Sequence, residues 1–267
     1  MGASVSTKNF RIPLNSDEGL ISTLVYSALN TSKEHLRRPA HPGWIEEAGK
    51  LLVQHCLSKT FEQKTILQEL LDMGFKVDTI VDHCIPIAAT RLGEAWVKDT
   101  LSFSEATIGS ANLQRLLKHI AQDRENNFVS DSGKRFLICV HESEQHTLGA
   151  LVLGDMLRRQ GHSLKIKLDA QLTQICDLQE SNDYDAIFFS CSSFLSIKET
   201  AACVRKIRQT LSNTCPIFLG GTDIGKVSQG LDLNEFDLVT NSLNSVAEYL
   251  EKNRKEIPLN LSMAAEG

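Results

Sequence analysis

The sequence predicts a chain in two parts: a helical bundle first, then an α/β domain built on a five-stranded parallel sheet. Two observations predict it. Apolar residues recur at helical spacing through residues 44–122. From residue 136 onward, short apolar runs of strand length alternate with helical stretches, the pattern of parallel strands joined by crossover helices. A chain of 267 residues, 42% hydrophobic, is long enough to bury a core in each part without disulfide or metal staples.

The first predicted helix covers residues 44–57. Residues 61–75 carry Phe61, Ile66, Leu67, Leu70, Leu71 and Phe75 on one stripe, ending near Gly74. Residues 77–98 carry Val77, Ile80, Val81, Cys84, Ile85, Ala88, Leu92 and Trp96. Pro86 lacks a backbone donor, so it is expected to kink or split that helix. Residues 102–122 carry Phe103, Ile108, Leu113, Leu116, Leu117 and Ile120. Residues 44–124 are therefore read as a bundle domain, with residues 1–43 as an extension of no assigned role. The polar stretch 123–134 reads as a linker.

The α/β domain is expected over residues 133–257. Its strands are predicted at 136–140, 164–168, 186–192, 217–220 and 237–240. Helices are predicted near 147–160, 170–180, 197–211, 223–229 and 243–254. Five such strands fit a flavodoxin-like winding order, which places ligands at the carboxyl ends of the strands. Residues 258–267 read as a disordered tail.

The charge balance narrows the function. A net charge of -5 argues against direct DNA binding, which needs a basic face. The short basic cluster His35-Leu36-Arg37-Arg38 reads as a solvated loop. Seven scattered cysteines with no C-x-x-C pair argue against a disulfide framework and fit a reducing cytoplasm. His55-Cys56 and His83-Cys84 do not have zinc-finger spacing. No apolar run approaches a membrane span, and no signal-peptide core is visible. Gly2 and Ser6 match the myristoylation pattern, which is short enough to arise by chance.

The informative loop follows the first strand: Val140-His141-Glu142-Ser143-Glu144-Gln145-His146-Thr147-Leu148-Gly149. It lacks the G-x-G-x-x-G of dinucleotide binders. It holds Glu-x-His-x-x-Gly instead, with His146 just before a helix. Taken alone, such a histidine is commonly a capping residue. Two further elements accompany it at strand ends: Ser190-Cys191-Ser192-Ser193 after the third strand and Gly220-Gly221 after the fourth. Ser190 and Ser192 are predicted to point to one face of their strand.

These three elements resemble cobalamin-binding domains, which carry Asp-x-His-x-x-Gly, a Ser-x-Leu segment and Gly-Gly at the same strand ends. The resemblance implies that His146 is the lower axial ligand of cobalt, as a neutral imidazole. Glu144 would take the place of the usual Asp, one methylene longer, and fix the imidazole tautomer. Gly149 would let the helix approach the cofactor's nucleotide tail, and Thr147 is expected among the cofactor-binding residues. Ser190 or Ser192 would bond the tail's base or Glu144, and Gly220 and Gly221 would leave room for the tail. In the helical half, Leu92-Gly93-Glu94-Ala95-Trp96 resembles the Leu-Gly-x-x-Trp signature of the cap over the corrin's upper face. That implies Trp96 stacks on the macrocycle; its plain alternative is a core anchor. The Glu-His pair that follows this Trp in adenosylcobalamin photoreceptors is replaced here by Ala106-Thr107.

Together with Ile85–Trp96 and the stretch Asp99–Phe103, the loop resembles the AerR/PpaA antirepressors of purple photosynthetic bacteria, relatives of the carboxy-terminal region of AppA. The resemblance spans roughly residues 60–250. It implies a non-enzymatic, cobalamin-binding regulator that responds to light or redox state and contacts a PpsR/CrtJ-type repressor of photosynthesis genes. Some relatives carry haem instead, and His146 suits iron as well as cobalt. His141 is a further candidate ligand. The competing reading is a corrinoid carrier for methyl transfer. Carriers usually read Asp-x-His-Asp-Ile-Gly-Lys-Asn, whereas this chain continues Thr147-Leu148-Gly149-Ala150.

Overall fold

The computed structural model describes residues 42–125, 133–211, 215–221 and 224–253. Nearly all of the 1–43 extension, most of the linker and the whole 258–267 tail lie outside the described residues.

The helical half opens with α1 (Pro42–Cys56) and α2 (Gln63–Asp72). The third predicted helix is continuous in path but changes type along its length. It runs as α3 (Val77–Thr79), a π-helical turn Ile80–Cys84, and α4 (Ile85–Val97). The cause is Pro86. An α-helical ladder would need a Pro86 amide aimed at the Asp82 carbonyl, and the ring would clash there. The chain widens instead, and Ile85 N bonds Ile80 O, five residues back. Pro86 then occupies the first turn of α4, where no donor is required.

Helix α5 (Phe103–Glu125) closes the bundle. Leu113, Leu116, Leu117 and Ile120 face a core shared with Leu52, Ile66, Leu70, Ile80, Ile85 and Leu92. Gly49 and Gly109 let the helices cross closely. A Cβ at Gly49 would sit 2.5 Å from Ile87 Cγ2, and one at Gly109 2.8 Å from Leu92 Cδ2.

The α/β half alternates β1 (Arg135–His141), α6 (Leu148–Arg159), β2 (Ser163–Ala170), α7 (Leu172–Asn182), β3 (Ala186–Ser190) and α8 (Phe194–Thr210). It continues with β4 (Ile217–Gly220), α9 (Ile224–Val227), β5 (Leu238–Val239) and α10 (Leu243–Asn253). All strand pairs are parallel, in the order β2-β1-β3-β4-β5. The sheet separates two cores. Leu137, Cys139, Ile187, Phe189, Ile217 and Leu219 face one side, and Phe136, Ile138, Val140, Phe188 and Phe218 the other. This two-sided burial is why these strands read as unbroken apolar runs. The predicted α/β architecture and winding order are the ones observed. Among the described residues no helix is long and apolar enough to cross a membrane.

The third strand is shorter than expected. It ends at Ser190 rather than Ser192, because Ser192 N turns away from the ladder to donate to Glu144 Oε2 at 2.6 Å. Ser190 and Ser192 therefore do not share a strand face.

Candidate functional site

The strand order reverses direction between β1 and β3, and their following connections leave on opposite sides of the sheet. This opens a crevice outside their carboxyl ends. The loop 142–147 enters it from β1 and Ser192-Ser193 from β3.

Glu144 joins the two. Its side chain is 2% exposed, and a buried carboxylate must be fully hydrogen-bonded. Oε1 accepts from His146 N and His146 Nδ1, both at 2.7 Å. Oε2 accepts from Ser192 N at 2.6 Å and Ser196 Oγ at 2.7 Å. The Ser192 hydroxyl lies 2.9 Å from both carboxylate oxygens. The extra methylene relative to Asp lets the carboxylate curl back onto the His146 backbone and ring together. Burial is the largest single influence on this carboxyl and pushes its pKa up. The donors from His146, Ser196 and Ser192 together outweigh it and bring the pKa down to about 2.

His146 is the exposed end of this arrangement, with 74% of its side chain in solvent. Nδ1 also lies 2.8 Å from Ser192 Oγ. Both neighbours of Nδ1 act as acceptors, because Ser192 donates its proton to Glu144. The Nδ1 proton is therefore held, and the Nε2 lone pair faces outward. The bond from Glu144 raises the His146 pKa, burial opposes it, and the Glu144 charge adds to the rise. The histidine does not cap α6: Thr147 is the N-cap residue, and neither ring nitrogen serves the helix. Thr147 Oγ1 accepts instead from Gln114 Nε2 of α5 at 3.1 Å.

His141 is arranged differently. Ser143 N donates to its Nδ1 at 3.2 Å and Ser143 Oγ lies at 2.8 Å. An Nδ1 that accepts from an amide puts the ring proton on Nε2, so this ring presents no outward lone pair. In this arrangement His141 shapes the turn.

Gly149 begins α6 beside Ser190, where an added Cβ would sit 3.4 Å from Ser190 Oγ. Gly220 pairs with Ser190 in the sheet. Gly221 has φ +148°, and a Cβ there would meet the Cys191 carbonyl at 1.6 Å. Asn241 brackets it, accepting from Gly221 N and donating to Gly221 O at 2.8 Å each. A side chain at Gly221 would have no space beside the Cys191 backbone.

Trp96 is no core anchor. It is 46% exposed and packs edge-on against Phe103, ring centroids 5.9 Å apart. Phe103 is itself exposed, as are Phe194 and Leu195, which follow Ser193 at the start of α8. Ala106 and Thr107 offer no metal donor; Thr107 Oγ1 turns inward to Phe103 O at 2.8 Å.

Sequence reasoning missed Ser196, which is fully buried and bonds Glu144. Its signal was available: Ser193 and Ser196 form a capping box at the start of α8. It also missed Gln114 and Asn241, for which no local pattern exists.

The donor set suits a metal already held by a macrocycle. It presents one imidazole nitrogen backed by a carboxylate, with large apolar side chains exposed nearby. Among the described residues no three His, Cys, Asp or Glu side chains converge as a protein-only metal cage would require.

The fold is an α/β, Rossmann-like domain that follows a helical bundle. The chain is similar in fold to the monomethylamine corrinoid protein of Methanosarcina barkeri, with a TM-score of 0.55 at 13% identity over 79% of this chain and 97% of that one. A cobalamin-binding protein from Desulfitobacterium hafniense DCB-2 aligns over 80% of this chain and 98% of its own, with a TM-score of 0.38 and 12% identity. No protein-family profile matches the chain. In sequence it is 31% identical over 172 residues to the 20.5 kDa protein of the bchF-crtJ intergenic region of Rhodobacter capsulatus, covering 64% of this chain and 89% of that protein. The chain belongs to the family of that protein.

Proposed function

We propose that the chain binds a cobalamin-type corrinoid through His146 and works as a light- or redox-responsive regulator of the AerR/PpaA kind, acting through a protein partner. The observation that carries this reading is the outward Nε2 of His146, with its Nδ1 proton held by buried Glu144. A carboxylate behind a ligating imidazole fixes its orientation and raises its basicity. When bound at His146, the metal would supply ligand exchange, which would couple light or redox state to a change in shape.

The chain's own residues have separable tasks. His146 supplies the donor. Glu144 holds the tautomer, and Ser192 and Ser196 hold Glu144. Thr147, Gly149, Ser190, Gly220 and Gly221 border the crevice below. Trp96, with Phe103, offers an apolar surface on the bundle side. The partner we propose is a PpsR/CrtJ-type repressor; the location of the R. capsulatus relative, between bchF and crtJ, supports that choice. A methyl-carrying role is the second reading, favoured by the fold likeness to the monomethylamine corrinoid protein. Haem is the alternative cofactor, since one imidazole serves iron equally.

Titration of the purified full chain with hydroxocobalamin and, separately, with haemin tests this reading. Absorption spectra in darkness and light are the readout. Cobalamin is expected to bind with a shifted spectrum that His146→Ala abolishes. If His146→Ala takes up cobalamin with the same spectrum and affinity, the reading fails. Repressor binding that is the same for the apo and the illuminated cofactor-bound protein would remove the regulatory half.

A further inference from the structure

The two halves of the molecule meet on one helix, α6, and its two ends are fastened differently. Val152, at the middle, is buried in the bundle's core, and Leu148 in the first turn, Leu151 and Met156 pack against the same core. Such apolar contact is non-directional and tolerates tilting. Polar contacts between the halves flank this apolar middle at both ends of α6.

The first is at the Thr147 end, beside His146. It is one neutral hydrogen bond, Gln114 Nε2 to Thr147 Oγ1, between part-buried side chains. Water can replace it at little cost.

The second is at the far end. Arg159 is 17% exposed and faces three carboxylates. Asp155 on its own helix takes Nε at 2.9 Å, Asp78 lies 3.4 Å from a terminal nitrogen, and Asp82 pairs with the other. Asp82 lies in the π-helical turn and Asp78 in the helical turn before it. Separating the halves would take two charged partners, Asp78 and Asp82, from the guanidinium and leave it Asp155 alone, a larger loss than that of one neutral hydrogen bond. The turn that carries Asp82 is itself constrained by Pro86.

We infer that the Arg159–Asp78–Asp82 cluster is the fixed pivot of the helical bundle on the α/β domain, and that the bundle opens at the Thr147 end, over His146. The inference goes beyond the cofactor reading and does not require it. The asymmetry belongs to the protein alone. It assigns a direction to any change at His146: a wedge at one end of α6, with the other end held.

Distances between spin-label pairs in the full-length, cofactor-free chain test it. One pair, Ser104→Cys with Lys198→Cys, spans the Thr147 end. The other, Lys76→Cys with Gln160→Cys, spans the pivot. All four positions are exposed. The native cysteines are buried except Cys215, which is half-buried and is replaced by Ser in the background. The expected result is a broad distance distribution for the first pair and a narrow one for the second. Arg159→Met should broaden the second at least twofold. Should that variant fail to fold, Asp78→Asn removes only the outermost carboxylate and should broaden the same pair by a smaller factor. A narrow distribution at both ends, a broad one at the pivot in the unaltered chain, or a pivot unmoved by these substitutions overturns the inference. Because no cofactor is present, failure of cobalamin to bind leaves this test intact.

Discussion

Glu144 sets the chemistry of the site at the scale of single residues. Its hydrogen bonds come from both sides of the crevice, so it orients the imidazole and ties the two loops together. Glu144→Gln keeps the size but loses the charge, and it places an NH2 against donors. Corrinoid affinity is expected to fall by about 10- to 100-fold, measured by spectral titration, with the far-ultraviolet dichroism retained. The pH behaviour has a definite sign. The carboxyl's pKa is lowered from 4.5 to about 2 in the fold. Its stabilisation is therefore complete above pH 4.5 and is lost as pH falls toward 2. His146 is shifted the other way, upward from 6.5, so its contribution is present below pH 6.5 and fades as pH rises through the folded value. A metal at Nε2 must displace that proton, so cofactor affinity should increase with pH across the same interval. Affinity that does not rise with pH above 6.5 would count against Nε2 as the donor.

At the scale of elements, the sequence pattern reads well wherever one apolar face meets one core. The strands and most helix ends fall within a few residues of expectation. It reads poorly where long-range polar contacts redirect the chain. Ser192 leaves the third strand for a carboxylate 48 positions earlier, and no local pattern encodes that. Pro86 was legible as an interruption, but the compensating π-helical turn depends on packing that keeps the helix running straight into the bundle core. The Glu-x-His-x-x-Gly element was legible because its members are close in sequence; Ser196 was not connected to it because its partner lies 52 positions away. The glycines divide in the same manner. Gly221 has a positive φ and no space for a Cβ, with Cys191 O at 1.6 Å. Gly221→Ala should cost about 3 kcal/mol or more, seen as a lower denaturation midpoint. Gly93 has open space around its Cβ direction inside α4. Gly93→Ala should be stabilising by roughly 0.5–1 kcal/mol. Opposite signs at two glycines, both within motifs that drew attention in the sequence, separate a backbone requirement from a mere coincidence of residue type.

For the whole molecule, α6 belongs to two cores at once. Ala150 and Leu157 pack with Phe136, Ile138 and Phe188 against the sheet. Val152 packs into the helical bundle. A helix shared in this way makes the loss of either core felt by the other, since neither can unfold without exposing part of α6. Equilibrium unfolding of the cofactor-free chain should therefore be cooperative across both halves. The sequence supplies a clean means to check this. Its two tryptophans, Trp44 and Trp96, both lie in the bundle, so tryptophan fluorescence reports that half alone. Circular dichroism reports both. The two signals are expected to share one urea midpoint. Val152→Ala removes two carbon groups from the bundle core but sits on a helix of the α/β domain. It should lower stability by about 2 kcal/mol and move both signals together. A fluorescence transition that shifts while the dichroism transition stays in place would show that the halves unfold independently, and that α6 is an interface rather than a shared element.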